Sequence, residues 1–211
     1  MFQLQQVVPT PLIGNTAGSQ IWATDCTLLA HQRYFVAAPS GSGKTTFQHL
    51  LYGLRADYEG TLLINNSDAK SLQANDWALL RQEKIAIIFQ DLRLFLDQSA
   101  LDNILIKNNL TQHKTVAEIE AMAKKLGVFE LLNKDCGKIS FGQRQRIAII
   151  RALCQPFDFL IMDEPFSHLD SANVAICCDL IMQECKANNA GYAIASLEEK
   201  YDLVYDVEVR L

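Results

Sequence analysis

Residues 38–46, Ala-Pro-Ser-Gly-Ser-Gly-Lys-Thr-Thr, gather two glycines, a lysine and several hydroxyls into one short stretch. That is a combination suited to holding phosphate. Gly41 and Gly43 let the backbone bend so that successive N–H groups point inward at anionic oxygens. A helix opening directly afterwards turns its positive dipole end toward the same anion. Lys44 then neutralises charge on β- and γ-phosphates, and Thr45 offers its hydroxyl to Mg²⁺. Ala38 stands where the pattern G-x-x-x-x-G-K-[ST] has its first glycine, which a negative φ tolerates. The loop by itself specifies only nucleotide phosphates, since kinases, GTPases and motors share it. A second chemical pair, Asp163-Glu164, follows the apolar run Phe159-Leu160-Ile161-Met162. Carboxylates at the end of a buried strand sit where open α/β sheets bind ligands. Asp163 there would hold Mg²⁺ and Glu164 would orient or deprotonate an attacking water. The plain alternatives are a chance Gly/Ser loop and a solvated strand end.

A sheet is needed to place these groups. The pattern predicts strands at 2–8, 20–27 and 34–37, the last running straight into the glycine turn, then a helix over 45–54. A strand at 61–64 after Gly60, a helix near 75–81 and an apolar strand at 85–89 follow. Between 97 and 153 the apolar positions recur at helical spacing, at Val116, Ile119, Met122 and Leu126 and again at Ile147, Ile150 and Leu153. The run 159–162 is a parallel strand covered on both faces. A helix over 171–187 and strands at 192–195 and 203–209 complete an α/β pattern with a helical insertion. The 211 residues show no break in composition, so one domain with room for two lobes is expected. A net charge of −5 argues against nucleic acid as a partner. No apolar run approaches the roughly 18 residues that cross a bilayer, and the first residues lack a signal peptide's basic cluster. Residence in the cytosol follows as the expectation. Six cysteines form no C-x-x-C pair and read as small buried apolar residues.

Ile139-Ser140-Phe141-Gly142-Gln143-Arg144-Gln145-Arg146, about twenty residues before the acidic pair, resembles the L-S-G-G-Q signature of ABC ATPases. Gln90 resembles that family's Q-loop glutamine, and Ser167-His168-Leu169-Asp170 its S-A-L-D D-loop. Gly53-Leu54, Gly60 and the strand after it resemble the segment that follows the family's phosphate loop, and these four matches cover essentially the whole chain. The resemblance implies an α/β P-loop NTPase: a RecA-like core with an N-terminal antiparallel β subdomain and an inserted α-helical subdomain. Residues 1–211 then form one ABC ATPase domain, with 1–90 and 156–211 as catalytic core and 91–155 as helical signature subdomain. It further implies ATP and Mg²⁺ as cofactors, with Glu164, Gln90 and Lys44 catalytic and Thr45, Gln90 and Asp163 around the metal. The nucleotide would be held by Ala38, Pro39, Ser40, Gly41, Ser42, Gly43, Lys44, Thr45 and Thr46. Ser140, Gly142, Gln143 and Asp170 would act on the nucleotide of a second copy, in a head-to-tail homodimer that ATP cements and hydrolysis releases. Transmembrane permease-type subunits are the implied partners, with no nucleic acid and membrane contact only through the partner. The implied location is cytoplasmic, peripheral on the inner face of the cell membrane. On its own, Ser140 with Gln143 three residues on also fits an ordinary capping box.

Besides Ala38, the sequence departs from the family pattern at four further places. An aromatic residue that stacks on adenine is expected near the end of the first strand, where this chain has Pro9, Thr10, Pro11 and Leu12; Trp22 is a distant substitute. The Thr-His-Asp-like switch reads Ser196-Leu197-Glu198, and Leu197 cannot hydrogen-bond. His168 replaces an alanine, as a surface substitution or as a spare imidazole. Phe141 replaces a glycine, strained if φ is positive and otherwise free to pack at a dimer face. Leu92, Leu94, Phe95 and Leu96 form an apolar cluster where the family docks a coupling helix, or else part of the lobe core. The wording of 91–103 is closest to the lipoprotein-release, macrolide-export and cell-division branch. The resemblance implies an ATPase that energises a transporter or mechanotransmission complex, slowed by Leu197. The alternative is a regulatory module that dimerises on ATP and scarcely hydrolyses it.

Overall fold

A computed structural model describes residues 1–39, 41–197 and 200–211, so Ser40 and Glu198 of the expected site lie outside the described residues. In chain order the elements are β1 (Phe2–Pro9), β2 (Asp25–Leu28), β3 (Arg33–Ala37), α1 (Lys44–Leu51), β4 (Tyr58–Ile64), β5 (Ser67–Asp68), α2 (Ala74–Glu83) and β6 (Ile85–Ile88). They continue with α3 (Ala100–Thr111), α4 (Val116–Lys125), α5 (Phe141–Leu153), β7 (Phe159–Asp163), α6 (Ser171–Ala187), β8 (Gly191–Ser196) and β9 (Val207–Arg210). Strands β6-β7-β8-β3-β9 form one sheet, and every pairing within it is parallel. Strands β6, β7 and β8 are buried along their whole length, which is why they read as unbroken apolar runs.

The second sheet, β2-β1-β4-β5, is antiparallel. A bulge between Gln5 and Val8 bends β1, and Gly60 lies against it: a Cβ there would come 2.4 Å from the Gln6 carbonyl oxygen. Phe2 meets Phe159 edge-on at 5.4 Å between ring centroids, joining the two sheets through one core. Helices α3, α4 and α5 pack together over Ile104, Ile119, Met122, Ile147 and Ile150 to make a helical lobe between β6 and β7. Thr115 caps α4 with Glu118 in a reciprocal box, as Ser140 and Gln143 do for α5.

Two expected strands are shorter than their apolar patterns. Residues 20–24 leave the sheet because the Ser19 hydroxyl accepts the amides of Ile21 and Trp22, turning the chain so that both side chains face inward. At the C-terminus only Val207–Arg210 pairs, since Asp206 is held by a two-pronged ion pair to Arg33 and the preceding segment turns to bury Leu203. Among the described residues no helix is long and apolar enough to cross a membrane. Five of the six free cysteines are buried, and Cys26 is half-buried.

Candidate nucleotide site

The phosphate loop joins β3 to α1, and its shape follows from two left-handed glycines, Gly41 at φ 81° and Gly43 at φ 96°. Gly43 also caps α1 without a side chain, so the first amides of the helix are left to an anion. A Cβ at Gly43 would come 2.6 Å from Leu12 Cδ1. Ala38 is fully buried, is absent from the residues with positive φ, and donates its amide to Ser196 O at 2.9 Å. The missing glycine therefore carries no strain. Trp22 supports the loop from beneath: its indole N–H donates to Ser42 O at 3.1 Å and its ring meets Phe47 edge-on at 6.0 Å. It is 1% exposed, which excludes it as a stacking surface for a base. Instead Pro11 and Leu12 line a cavity of about 370 Å³ with Gly41, Gly43, Lys44 and Thr46.

Helix α1 lays its first turn against the end of β7. Thr45 Oγ1 donates to Asp163 Oδ2 at 3.1 Å, and the buried Gln48 amide donates to Met162 O at 3.1 Å. Asp163 is 2% exposed, and among the described residues its Oδ1 has no hydrogen-bond partner. Burial pushes its pKa up, opposed by the Thr45 hydrogen bond. A dry carboxylate with one unpaired oxygen beside a hydroxyl is an oxygen donor set suited to a hard divalent cation, so the residues fit Mg²⁺. Glu164 follows in a left-handed backbone conformation, φ 42°. This is unusual for a residue with a side chain and characteristic of functional turns. Its carboxylate meets Lys44 Nζ at 3.2 Å and the Gln90 amide at 3.4 Å, while Lys44 also donates to Ala38 O at 3.2 Å. One strand end thus collects Lys44, Thr45, Gln90, Asp163 and Glu164.

The remaining expected residues stand elsewhere. Ser140 Oγ accepts the Gln143 amide at 3.3 Å and Gln143 Oε1 accepts the Ser140 amide at 2.9 Å, so the capping reading holds and both polar groups serve α5. Asp170 caps α6 by accepting from the Asn173 amide and side chain, each at 2.8 Å, which holds its carboxyl below the usual range. Neither Ser140, Gly142, Gln143 nor Asp170 lines the cavities at the phosphate loop. Phe141 is helical without positive φ, and its ring lies 4.1 Å from that of His168. A Cβ on Gly142 would sit 3.0 Å from His168 O, so signature and D-loop are pressed together within one chain. Leu197, just past β8, is 48% exposed.

The apolar cluster after Gln90 divides. Leu92 is buried and Leu94 packs against the lobe, whereas Phe95 and Leu96 are 56% and 49% exposed. Leu92 and Arg93 both take left-handed φ, and Arg151 of α5 clamps the turn by donating to Leu92 O at 2.5 Å and Arg93 O at 2.6 Å. Sequence reasoning missed Arg151 and Gln48, and weighed Trp22 only as a stacking residue. Each acts on a backbone carbonyl distant in sequence, for which spacing carries no signal.

The ABC transporter family matches residues 23–167. The chain is 37% identical over 171 residues to the lipoprotein-releasing system ATP-binding protein LolD of Buchnera aphidicola subsp. Schizaphis graminum, covering 79% of this chain and 74% of that one. It is 29% identical over 187 residues to LolD of Pseudoalteromonas translucida, covering 87% and 80%. In fold it is similar to MJ0796, a bacterial ABC transporter cassette solved as a dimer, with TM-score 0.80 and 22% identity over 94% of this chain and 88% of that one. The chain belongs to the ABC transporter family, as an ATP-binding subunit whose nucleotide chemistry energises transport.

Proposed function

We propose that this chain is a Mg²⁺-dependent ATPase that drives a transmembrane permease-type partner of the lipoprotein-release kind. It works as a head-to-tail homodimer at the cytoplasmic face of the membrane. The carrying observation is the convergence of Thr45 on Asp163 and of Lys44 and Gln90 on Glu164 at the end of β7. Lys44 neutralises terminal phosphate charge, Glu164 takes the proton of the attacking water, and Gln90 orients that water. Thr45 and Asp163 would hold the Mg²⁺, which would supply electrophilic stabilisation of phosphate charge. The kinship with LolD supports the choice of partner, and Phe95 and Leu96 supply an exposed apolar surface for it. Residues 91–155 act as the lobe that carries the signature, hinged on Gln90 against the core of 1–90 and 156–211.

Leu197 takes a transition-state donor from the end of β8, a loss worth about 10²–10³ in rate unless another residue supplies one. In the extreme this favours a second reading, a module that dimerises on ATP and scarcely turns over. Phosphate release from the purified chain, with Glu164→Gln as control, separates the two. Slow Mg²⁺-dependent release that Glu164→Gln lowers by about 10²-fold or more is expected, with ATP binding retained. Release no faster than that of the Glu164→Gln control would leave only the second reading.

A further inference from the structure

Leu197, just past the end of β8, carries no hydrogen-bond donor, yet an imidazole faces the same chemistry from another element. A cavity of about 420 Å³ has Thr45, Gln90 and Asp163 on one wall and His168 with Phe141 on another. Thr45 and Asp163 mark the end of the site where the terminal phosphate lies in the reading above, on which this inference rests.

Three contacts fix His168. Its backbone N–H donates to the buried Gln145 side chain at 3.3 Å, its Nδ1 lies 2.9 Å from Ser167 Oγ, and the Phe141 ring covers one face at 4.1 Å. When Ser167 donates to Nδ1, the neutral ring carries its proton on Nε2. Among the described residues no hydrogen bond engages that Nε2. The other basic side chains of the cavity are committed: His49 Nε2 meets Arg93 at 3.2 Å, and Arg93 lies over the Phe89 ring at 4.0 Å and pairs with Asp91. The two departures from the signature and D-loop patterns, Phe141 and His168, are thus in ring contact, tilted at 48° to each other.

We propose that His168 is a catalytic residue that supplies from the D-loop the imidazole donor which Leu197 removes from β8. In hydrolysis the water oxygen bonds to the terminal phosphorus, the bond from that phosphorus to the ADP oxygen breaks, and the water proton passes to Glu164. The Nε2–H donates a hydrogen bond to a terminal phosphate oxygen throughout and keeps its proton.

The test is a cycle of His168→Ala and Leu197→His, each variant checked for folding by thermal melting. His168→Ala lowers kcat by about 10²-fold with nucleotide affinity little changed. His168→Gln, whose amide can donate, recovers part of the loss. In the Leu197→His background the cost of His168→Ala shrinks, because an imidazole again occupies the strand end. Independently of turnover, long-range ¹H–¹⁵N spectra of the Glu164→Gln protein show the Nε2-protonated tautomer, with that resonance moved by Mg²⁺ and adenylyl imidodiphosphate. An unchanged kcat in His168→Ala, an equal loss in both backgrounds, or a His168 resonance indifferent to the triphosphate overturns the assignment. Failure of Glu164→Gln to slow phosphate release would instead strike at the underlying ATPase reading.

Discussion

Asp163 is a buried carboxylate with one oxygen hydrogen-bonded to Thr45 and the other without a partner among the described residues. Burial raises its pKa, so the folded protein disfavours the charged form relative to the unfolded chain. The sign follows: stability falls as pH rises from the ordinary Asp range through the raised value, because the folded state must then hold an undercompensated charge. Asp163→Asn keeps an acceptor for Thr45 and removes the charge. Without nucleotide or metal, this variant should melt above the parent at neutral pH, the gap closing on acidification toward the ordinary Asp range. It should also lose the Mg²⁺ dependence of ATP binding. A lower melting temperature at every pH would show that the carboxylate is held for structure rather than for a cation. The carboxylate pair and the loop lysine were legible in the sequence because apolar strand, glycine turn and charged residue are local in the chain. The left-handed φ of Glu164 was not, since nothing about a glutamate announces a conformation that surrounding packing imposes.

At the scale of elements, the α/β alternation and the helical lobe were readable because each rests on a periodicity of two or of about 3.6. Residues 20–24 misread as strand because Ile21 and Trp22 carry strand-like side chains, whereas the Ser19 turn decides their path. The turn after Gln90 was equally illegible: it is held by Arg151, some 60 residues away, through backbone carbonyls that any sequence supplies. That clamp joins α5 to the segment that leads from β6 into the helical lobe. Arg151→Lys keeps the charge and loses the planar fork. Charged hydrogen bonds of this kind are worth roughly 1.5–3 kcal/mol, so a loss of about 2 kcal/mol in urea unfolding is expected. Amide exchange should rise mainly over residues 90–96, and a rise spread evenly through the lobe would mean that Arg151 merely fills the core.

At the scale of the whole molecule, Ser140 and Gly142 of the signature turn line neither of the cavities beside the phosphate loop of their own chain. Ser140 caps α5, Phe141 and Gly142 lean on their own D-loop, and Lys44 and Glu164 pair at the end of β7. On the head-to-tail reading proposed above, the start of α5 would meet a phosphate only when a second copy brings one. That division gives an asymmetric prediction. Ser140→Arg, made in the Glu164→Gln protein, should leave ATP binding to the single chain intact, since Ser140 does not line the nucleotide cavity. It should cost about 1 kcal/mol of stability through the lost cap, and abolish the ATP-dependent dimer seen by light scattering. Lys44→Ala should abolish both binding and dimer. Mixing the two variants discriminates further. In a head-to-tail pair, a Lys44→Ala subunit still presents an intact Ser140, but only to a partner whose own loop can hold ATP. One nucleotide can therefore be enclosed in the mixed pair, between the intact loop of the Ser140→Arg chain and the intact signature of the Lys44→Ala chain. The mixture should trap up to one ATP per pair where Ser140→Arg alone encloses none, and a mixture no better than either variant would refute completion of the site by a second copy.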